Sequence, residues 1–280
     1  LLCWAGFALL FFTFSSTKLP HYLLYGTTPL LILMAGALVQ VRSRAMTVAL
    51  ALCRAGHRVL VPLLRALDER VDTLVLSHRD SDHTGGAPAV LQMHPDASLL
   101  SSVEADHELQ ALRPATRCLA GQTWTWDGVR MEVLHPVEVD YAQARKPNAL
   151  SCVLRVSTSS RSALLVGDIE QPQEAALLQR ASATGQSLKS DVLLVPHHGS
   201  KTSSSPAFLG AVAPTMALAQ AGYRNRFGHP APEVLARYAH RGIRVVDSAR
   251  CGAATWRSDQ PSVLRCERQA APRYWHHRLP

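Results

Sequence analysis

The sequence predicts an α/β sandwich with mixed sheets. Three observations point there: short apolar runs of strand length recur, segments of helical period separate them, and polar hairpin turns sit between some of them. Composition agrees. Hydrophobic residues make up 47% of the 280 residues and charged ones 18%, which excludes a disordered chain. Gly and Pro number 16 and 17, which excludes collagen-like and low-complexity classes. The net charge of +8, with a pI near 9.5, suits a polyanionic partner or an anionic membrane without selecting either. The six cysteines form no CxxC pair, so a zinc ribbon or thioredoxin motif is not expected.

The first forty residues differ from the rest. Leu1 to Phe14 carries no charge, nor does Tyr22 to Val39, and Arg42 and Arg44 follow. Each stretch is near or below the ~20 residues of a spanning helix, and the basic flank resembles a membrane edge. Residues 1–41 are therefore expected to be membrane-type apolar segments, with Leu1 the cut end of a longer one. Residues 42–57 read as an irregular junction of weak helical character, and residues 58–280 as the main domain.

From there the elements follow in order. Val59 to Leu67 places Val59, Leu63, Leu64 and Leu67 on one helical face. Asp72 to Ser77 is a short apolar strand. Gly85-Gly86 opens a helix through Gln92. Trp124 to Val133 alternates around Asp127-Gly128, a hairpin signal. Cys152–Val156 and Ala163–Val166 pair across a polar turn, and a helix follows near Glu174–Arg180. Asp191–Val195, Thr215–Ala219 and Ile243–Val246 are strands. Ser205–Val212 and Pro232–His240 are helices. Cys251 and Cys266 flank a hairpin-like segment, Ala254–Leu264, a spacing that fits a cross-strand disulfide or two separate buried thiols equally well. The last residues are basic, with Arg265, Arg268, Arg273, Arg278 and His276-His277 around Tyr274 and Trp275. That tail either packs on the domain or binds a nucleic-acid strand.

The chemistry gathers where strands end. His78, Asp80, Asp82 and His83 fall within six residues after an apolar strand, and a loop there can wrap them around cations. Val166-Gly167-Asp168 ends another strand and offers a carboxylate able to bridge two metals. Pro196-His197-His198-Gly199-Ser200 ends a third. Its adjacent imidazoles diverge, so one can bind metal while the other faces substrate. Ser200, Lys201 and Ser203 add hydroxyls and a cation for an anionic group. Asn225 to Pro230 supplies His229.

These motifs together, His78-x-Asp80-x-Asp82-His83-x-Gly85-Gly86, Gly167-Asp168, Pro196-His197-His198-Gly199-Ser200 and Asn225-x-x-Gly228-His229-Pro230, resemble the metallo-β-lactamase superfamily. Within it the chain resembles the C-terminal domain of the ComEC/Rec2 DNA-internalisation proteins of bacterial competence. The resemblance covers about Val59 to Arg278. It implies an αββα sandwich with a dinuclear site, metal ligands His78, Asp80, Asp82, His83, Asp168 and His198, and a phosphate-facing His197. His229 would line the substrate side. Asn148 and Ser151 stand where other branches supply a histidine. The implied cofactors are two divalent ions. The oxygen-rich ligand set favours Mn²⁺, with Zn²⁺ or Mg²⁺ as alternatives.

The implied role is degradation of the DNA strand that is not imported, by a domain on the outer side of the cytoplasmic membrane. Its partners would be single-stranded DNA, a membrane channel domain and other uptake machinery. Hydrolysis of small esters, thioesters or lactones, and a catalytically dead uptake module, are the competing functions. The sequence departs from the family at the start of the domain. The usual strand reading Asp-Val-Gly-Gln-Gly and the next one ending in Asp-Thr-Gly or Asp-Ala-Gly are absent, so N-terminal strands of the sandwich are expected to be missing. A frameshifted or recombined coding stretch accounts for this, and resequencing the gene is the test.

Overall fold

A computed structural model describes residues 47–50, 59–143 and 146–273. The apolar segments of residues 1–41, most of the junction, and the tail residues Tyr274 to Pro280 lie outside the described residues. Among the described residues, no helix is long and apolar enough to cross a membrane.

Two sheets face each other. The first is parallel throughout, in the order β1 (Thr47–Leu50), β2 (Val71–Leu76), β3 (Ser98–Ser101), β4 (Ala115–Arg117). The second has seven strands in strict sequence order across the sheet: β5 (Thr123–Trp126), β6 (Val129–His135), β7 (Val153–Ser157), β8 (Ser162–Leu165), β9 (Val192–Leu194), β10 (Met216–Ala219) and β11 (Arg244–Asp247). Strands β5 to β8 run antiparallel to their neighbours, and β8 to β11 run parallel.

Alternation sorts the side chains into layers. On β9, Val192 and Leu194 face the inter-sheet core, with Val75 and Leu100 of the first sheet in the same cluster, while Leu193 joins the outer cluster. That outer cluster packs under helices α6 (Gln171–Thr184), α7 (Pro206–Val212) and α8 (Pro232–His240), through Leu177, Phe208, Leu209, Val234 and Tyr238. On the first sheet, Leu74 and Leu76 face Leu64, Val90 and Leu109 of helices α1 (Val61–Leu67), α3 (Ala87–Met93) and α4 (Glu108–Leu112). The layers are therefore α, β, β, α.

Helix α2 is a single turn, Ser81–Thr84, and α5 spans Glu138–Gln143. A hairpin of β12 (Ala254–Arg257) and β13 (Gln260–Cys266) follows the second sheet. Cys251 is bonded to Cys266, and Cys118 to Cys152. Of the two readings of the first pair, the structure takes the disulfide.

Several expectations change. Thr47–Leu50, read as weakly helical, pairs in parallel with β2 and gives the first sheet an edge strand. The expected metal loop contains a helical turn, α2, begun at extended Asp80 (φ −60°, ψ 145°) and tied by the Thr84 hydroxyl donating to the Asp80 carbonyl at 3.2 Å. Strands β3 and β4 fall in a stretch where the sequence suggested none, because runs of four and three residues are too short to show a period.

Candidate metal centre

The parallel strands β2, β8, β9 and β10 end at one edge of the sandwich, and so does the start of β7, which runs antiparallel to β8. Ser77 and His78 leave β2 there. Gly167 and Asp168 leave β8, His197 and His198 leave β9, and Gln220 leaves β10. The two sheets touch at Gly167: with φ at +55°, it would place a Cβ 2.8 Å from the Ser77 Cβ and 3.1 Å from the Ser151 Cβ. Only glycine fits that crossing.

Ligand-type atoms of Asp82, His83, Asp168 and His198 all lie within 4.8 Å of one another. Asp168, buried at 5% exposure, divides its oxygens. Oδ1 is 3.3 Å from His83 Nε2, and Oδ2 is 3.4 Å from His198 Nε2. His198 Nε2 is also 3.2 Å from Asp82 Oδ2. His78 Nε2 faces Asp80 Oδ2 at 3.3 Å, and the His78 and His83 rings are 4.1 Å apart.

The far nitrogen of each imidazole is fixed. Ser77 Oγ lies 2.8 Å from His83 Nδ1 and 3.1 Å from His78 Nδ1. Ser151 Oγ is 3.3 Å from His78 Nδ1 and accepts the Asp168 backbone N–H at 3.1 Å. His198 Nδ1–H donates to the Gln220 carbonyl at 2.7 Å, which turns its Nε2 toward the two carboxylates.

The donor set fits a divalent cation. Nε2 of His78 and of His83 are buried with no hydrogen-bond partner in the protein, although carboxylate oxygens stand opposite both. Imidazole nitrogens and carboxylate oxygens converging on one place, two of the nitrogens without a hydrogen-bond partner, are what a cation satisfies. The charges agree. Burial pulls the His198 imidazole down, but hydrogen bonds and charge from Asp168 and Asp82 carry it up to about 10. Burial would raise Asp82, yet His198 and His83 hold it at about 2, and the same two rings hold Asp168 well below the carboxylate range against its burial. Burial lowers His78.

His197 lies to one side. Its Nε2 is 4.0 Å from Asp168 and accepts from the Asn148 amide at 3.3 Å, while Nδ1 faces Glu170 Oε1 at 3.3 Å. The turn that separates the two imidazoles is left-handed at three consecutive residues, His197 (φ 47°), His198 (φ 54°) and Gly199 (φ 86°). A Cβ at Gly199 would lie 2.5 Å from the Pro230 Cβ. The loop that carries His229 is therefore pressed onto this turn, and the His229 ring is 5.9 Å from that of His197.

The substrate-binding residues expected from the sequence are less well gathered. Lys201 is exposed, with its ammonium 3.7 Å from Glu233. Ser203 is fully buried and donates to the Pro196 and Ser200 carbonyls, so it braces the loop instead of facing substrate. Ser200 is buried against Thr202 at 3.1 Å. Sequence reasoning passed over Ser77, Glu170, Thr202 and the Gln220 carbonyl. Glu170, two residues beyond Asp168, was the one with a visible signal.

An αββα sandwich that collects imidazoles and carboxylates at one edge defines a metal-dependent hydrolase class of protein. The profile of the Metallo-beta-lactamase superfamily matches residues 50–215, and the chain belongs to that superfamily. It is similar to the competence protein ComA of Neisseria gonorrhoeae, 36% identical over 79% of this chain and 30% of the relative. It is also similar to the uncharacterized protein YcaI of Escherichia coli, 31% identical over 79% and 28%. Recombination protein 2 of Haemophilus influenzae is 34% identical over 68% and 22%. The chain thus spans less than a third of the length of these relatives.

Proposed function

We propose that the chain is the metal-dependent phosphodiesterase domain of a bacterial DNA-uptake protein, and that it degrades the strand that is not imported. One observation carries the metal-dependent part of this reading: ligand-type atoms of Asp82, His83, Asp168 and His198 converge within 4.8 Å of one another, with His78 and Asp80 beside them. Asp82, His83 and His198 would hold one ion, His78 and Asp80 the other, and Asp168 would serve both. Divalent ions at such a site polarise phosphate oxygens and make water a nucleophile at neutral pH.

The chain's own residues do the rest. Ser77, Ser151 and the Gln220 carbonyl hold the imidazoles in place, and the carbonyl requires a proton on His198 Nδ1. Asn148 and Glu170 hold the His197 ring beside the centre, on the side where substrate would enter. The competence and recombination proteins among the relatives support DNA as substrate, as does the net charge of +8. The apolar segments 1–41 and the two disulfides support a domain carried at the cytoplasmic membrane on its outer, oxidising side, beside a channel domain and other uptake machinery.

The test is turnover of single-stranded DNA, duplex DNA, a small phosphodiester, a thioester and a lactone, each with Mn²⁺, Mg²⁺ or Zn²⁺. Phosphodiester cleavage, faster with Mn²⁺ than with Zn²⁺, is the expected result. Cleavage confined to the thioester or lactone would replace this function, and Zn²⁺ equalling Mn²⁺ would overturn the metal preference.

A further inference from the structure

Beside the centre, the loop after β10 displays an aromatic ring to solvent. Phe227 is 65% exposed, the most exposed large apolar side chain among the described residues, whereas Phe208 is fully buried. The exposure is built in. The Asn225 side chain donates to the Gly222 carbonyl at 2.8 Å and the His229 carbonyl at 2.5 Å, and accepts from the Phe227 and His229 backbone N–H groups at 3.2 and 3.0 Å. One amide therefore braces the whole loop and holds Phe227 outward.

The ring also continues a series of planar groups. His197 and His229 are 5.9 Å apart, His229 and Phe227 stack at 5.8 Å with planes 18° apart, and the Arg226 guanidinium lies 4.6 Å over Phe227. Arg224 lies beside them, 5.2 Å over the Tyr223 ring. Residues 220–231 contain both arginines and no carboxylate. A rigid aromatic that costs apolar exposure, next to cations and in line with a phosphate-type centre, is the chemistry of a nucleobase contact.

We infer that the Arg226–Phe227–His229 stack is a platform for an unpaired base of a single-stranded nucleic acid whose backbone leads into the metal centre. Arg224 and Arg226 counter the phosphates on either side of that base. The inference rests on the phosphodiesterase reading and adds to it a contact with the bases: the strand is held by an unpaired base as well as by its phosphates.

The experiment measures affinity of the whole chain for two nuclease-resistant phosphorothioate oligonucleotides of equal length, oligodeoxythymidylate and an abasic analogue. Equal charge removes the electrostatic term from their ratio. The wild-type chain is expected to prefer the base-bearing strand by about tenfold, the scale of one base–aromatic stack. Phe227→Ala should bring the ratio close to one, and Phe227→Trp should restore it. A wild-type ratio of one, a ratio that survives Phe227→Ala, or Phe227-dependent binding to phosphatidylglycerol vesicles with none to the oligonucleotide would overturn the platform. Hydrolysis of bis(p-nitrophenyl) phosphate by the wild-type chain is scored separately. Its absence would remove the phosphodiesterase reading while the affinity ratio still decided the base contact.

Discussion

The two sheets furnish the candidate metal centre in different ways. The first sheet delivers His78, Asp80, Asp82 and His83 from one strand end and one helical turn, within six residues. The second delivers Asp168, His197 and His198 from the ends of two neighbouring strands, and His229 from a loop beyond a third. The first set is a local device whose geometry a short peptide largely dictates. The second exists only because β8, β9 and β10 lie in parallel and in register, with Ala163 opposite Val192 and Leu218 opposite Leu194. A centre built from both couples local folding on one side to sheet assembly on the other.

Removing the group shared by the two halves should have the largest effect. Asp168→Ala is expected to abolish hydrolysis and lower metal content at both positions, measured by turnover and elemental analysis of the purified chain. Asp82→Ala, confined to the first set, should abolish hydrolysis but cost only the ion on its own side. Near-normal turnover with full metal content in either variant would dissolve the comparison.

Gly167→Ala attacks the seam where the sheets meet. A left-handed backbone costs a non-glycine residue about 1–2 kcal/mol, and the contact with Ser77 adds an overpacking cost of about 1–3 kcal/mol. Urea unfolding should show that loss, and a midpoint equal to the wild type would mean the halves do not depend on this crossing.

Ser77→Ala sharpens the picture on the first sheet, since one hydroxyl holds both its imidazoles. Loss of such a support typically weakens metal affinity by about ten- to a hundredfold, which competition with a chelator would measure. No change would show that packing alone orients the rings.

The smallest effect concerns the brace of the second set. Glu174, fully buried on α6, accepts the backbone N–H groups of Ser204 and Ser205 in the loop that follows the His197-His198 turn. Burial raises its carboxyl above the ordinary value despite those bonds. The folded chain therefore binds this proton more tightly than the unfolded chain. The resulting stabilisation is full below the ordinary carboxylate value and declines as pH rises through the raised one. Glu174→Gln should lose about 1–3 kcal/mol for a backbone donor left unpaired, and its stability should lack that decline. Parallel slopes for variant and wild type in urea unfolding across this range would rule the titration out.

The same asymmetry explains what could be read from the sequence. The four side chains between His78 and His83 announce themselves by density alone, and the apolar runs ending at Val166 and Val195 mark where Asp168 and His197-His198 must emerge. The αββα layering came from the family resemblance that those motifs carry, not from the strand and helix pattern. The fixing of the imidazoles did not follow, because it depends on partners distant in sequence: Ser151 is 73 residues from His78, and Gln220 contributes a backbone carbonyl, which has no sequence signature. Ser203 and Lys201 have partners that the sequence does not announce. Their types suit an anion; the Ser203 hydroxyl donates to the Pro196 carbonyl, and Lys201 lies 3.7 Å from Glu233. The strand at Thr47–Leu50 was hidden because its four residues sit inside text without a period.

The left-handed turn at His197, His198 and Gly199 affects how mutants of this centre must be interpreted. Alanine scanning assumes that the substitution deletes a side chain and nothing else. At His197 and His198 it would delete the ring and keep a Cβ on a backbone that disfavours one, by roughly 1–2 kcal/mol per residue. Glycine deletes the ring and relieves that backbone, at the cost of a more flexible unfolded chain. The Ala and Gly variants at one position therefore bracket the wild type from two directions, and their difference in unfolding free energy isolates the conformational share from the chemical one. If that difference vanishes, the handedness of the turn carries no energetic weight, and the simple alanine result can be taken at face value.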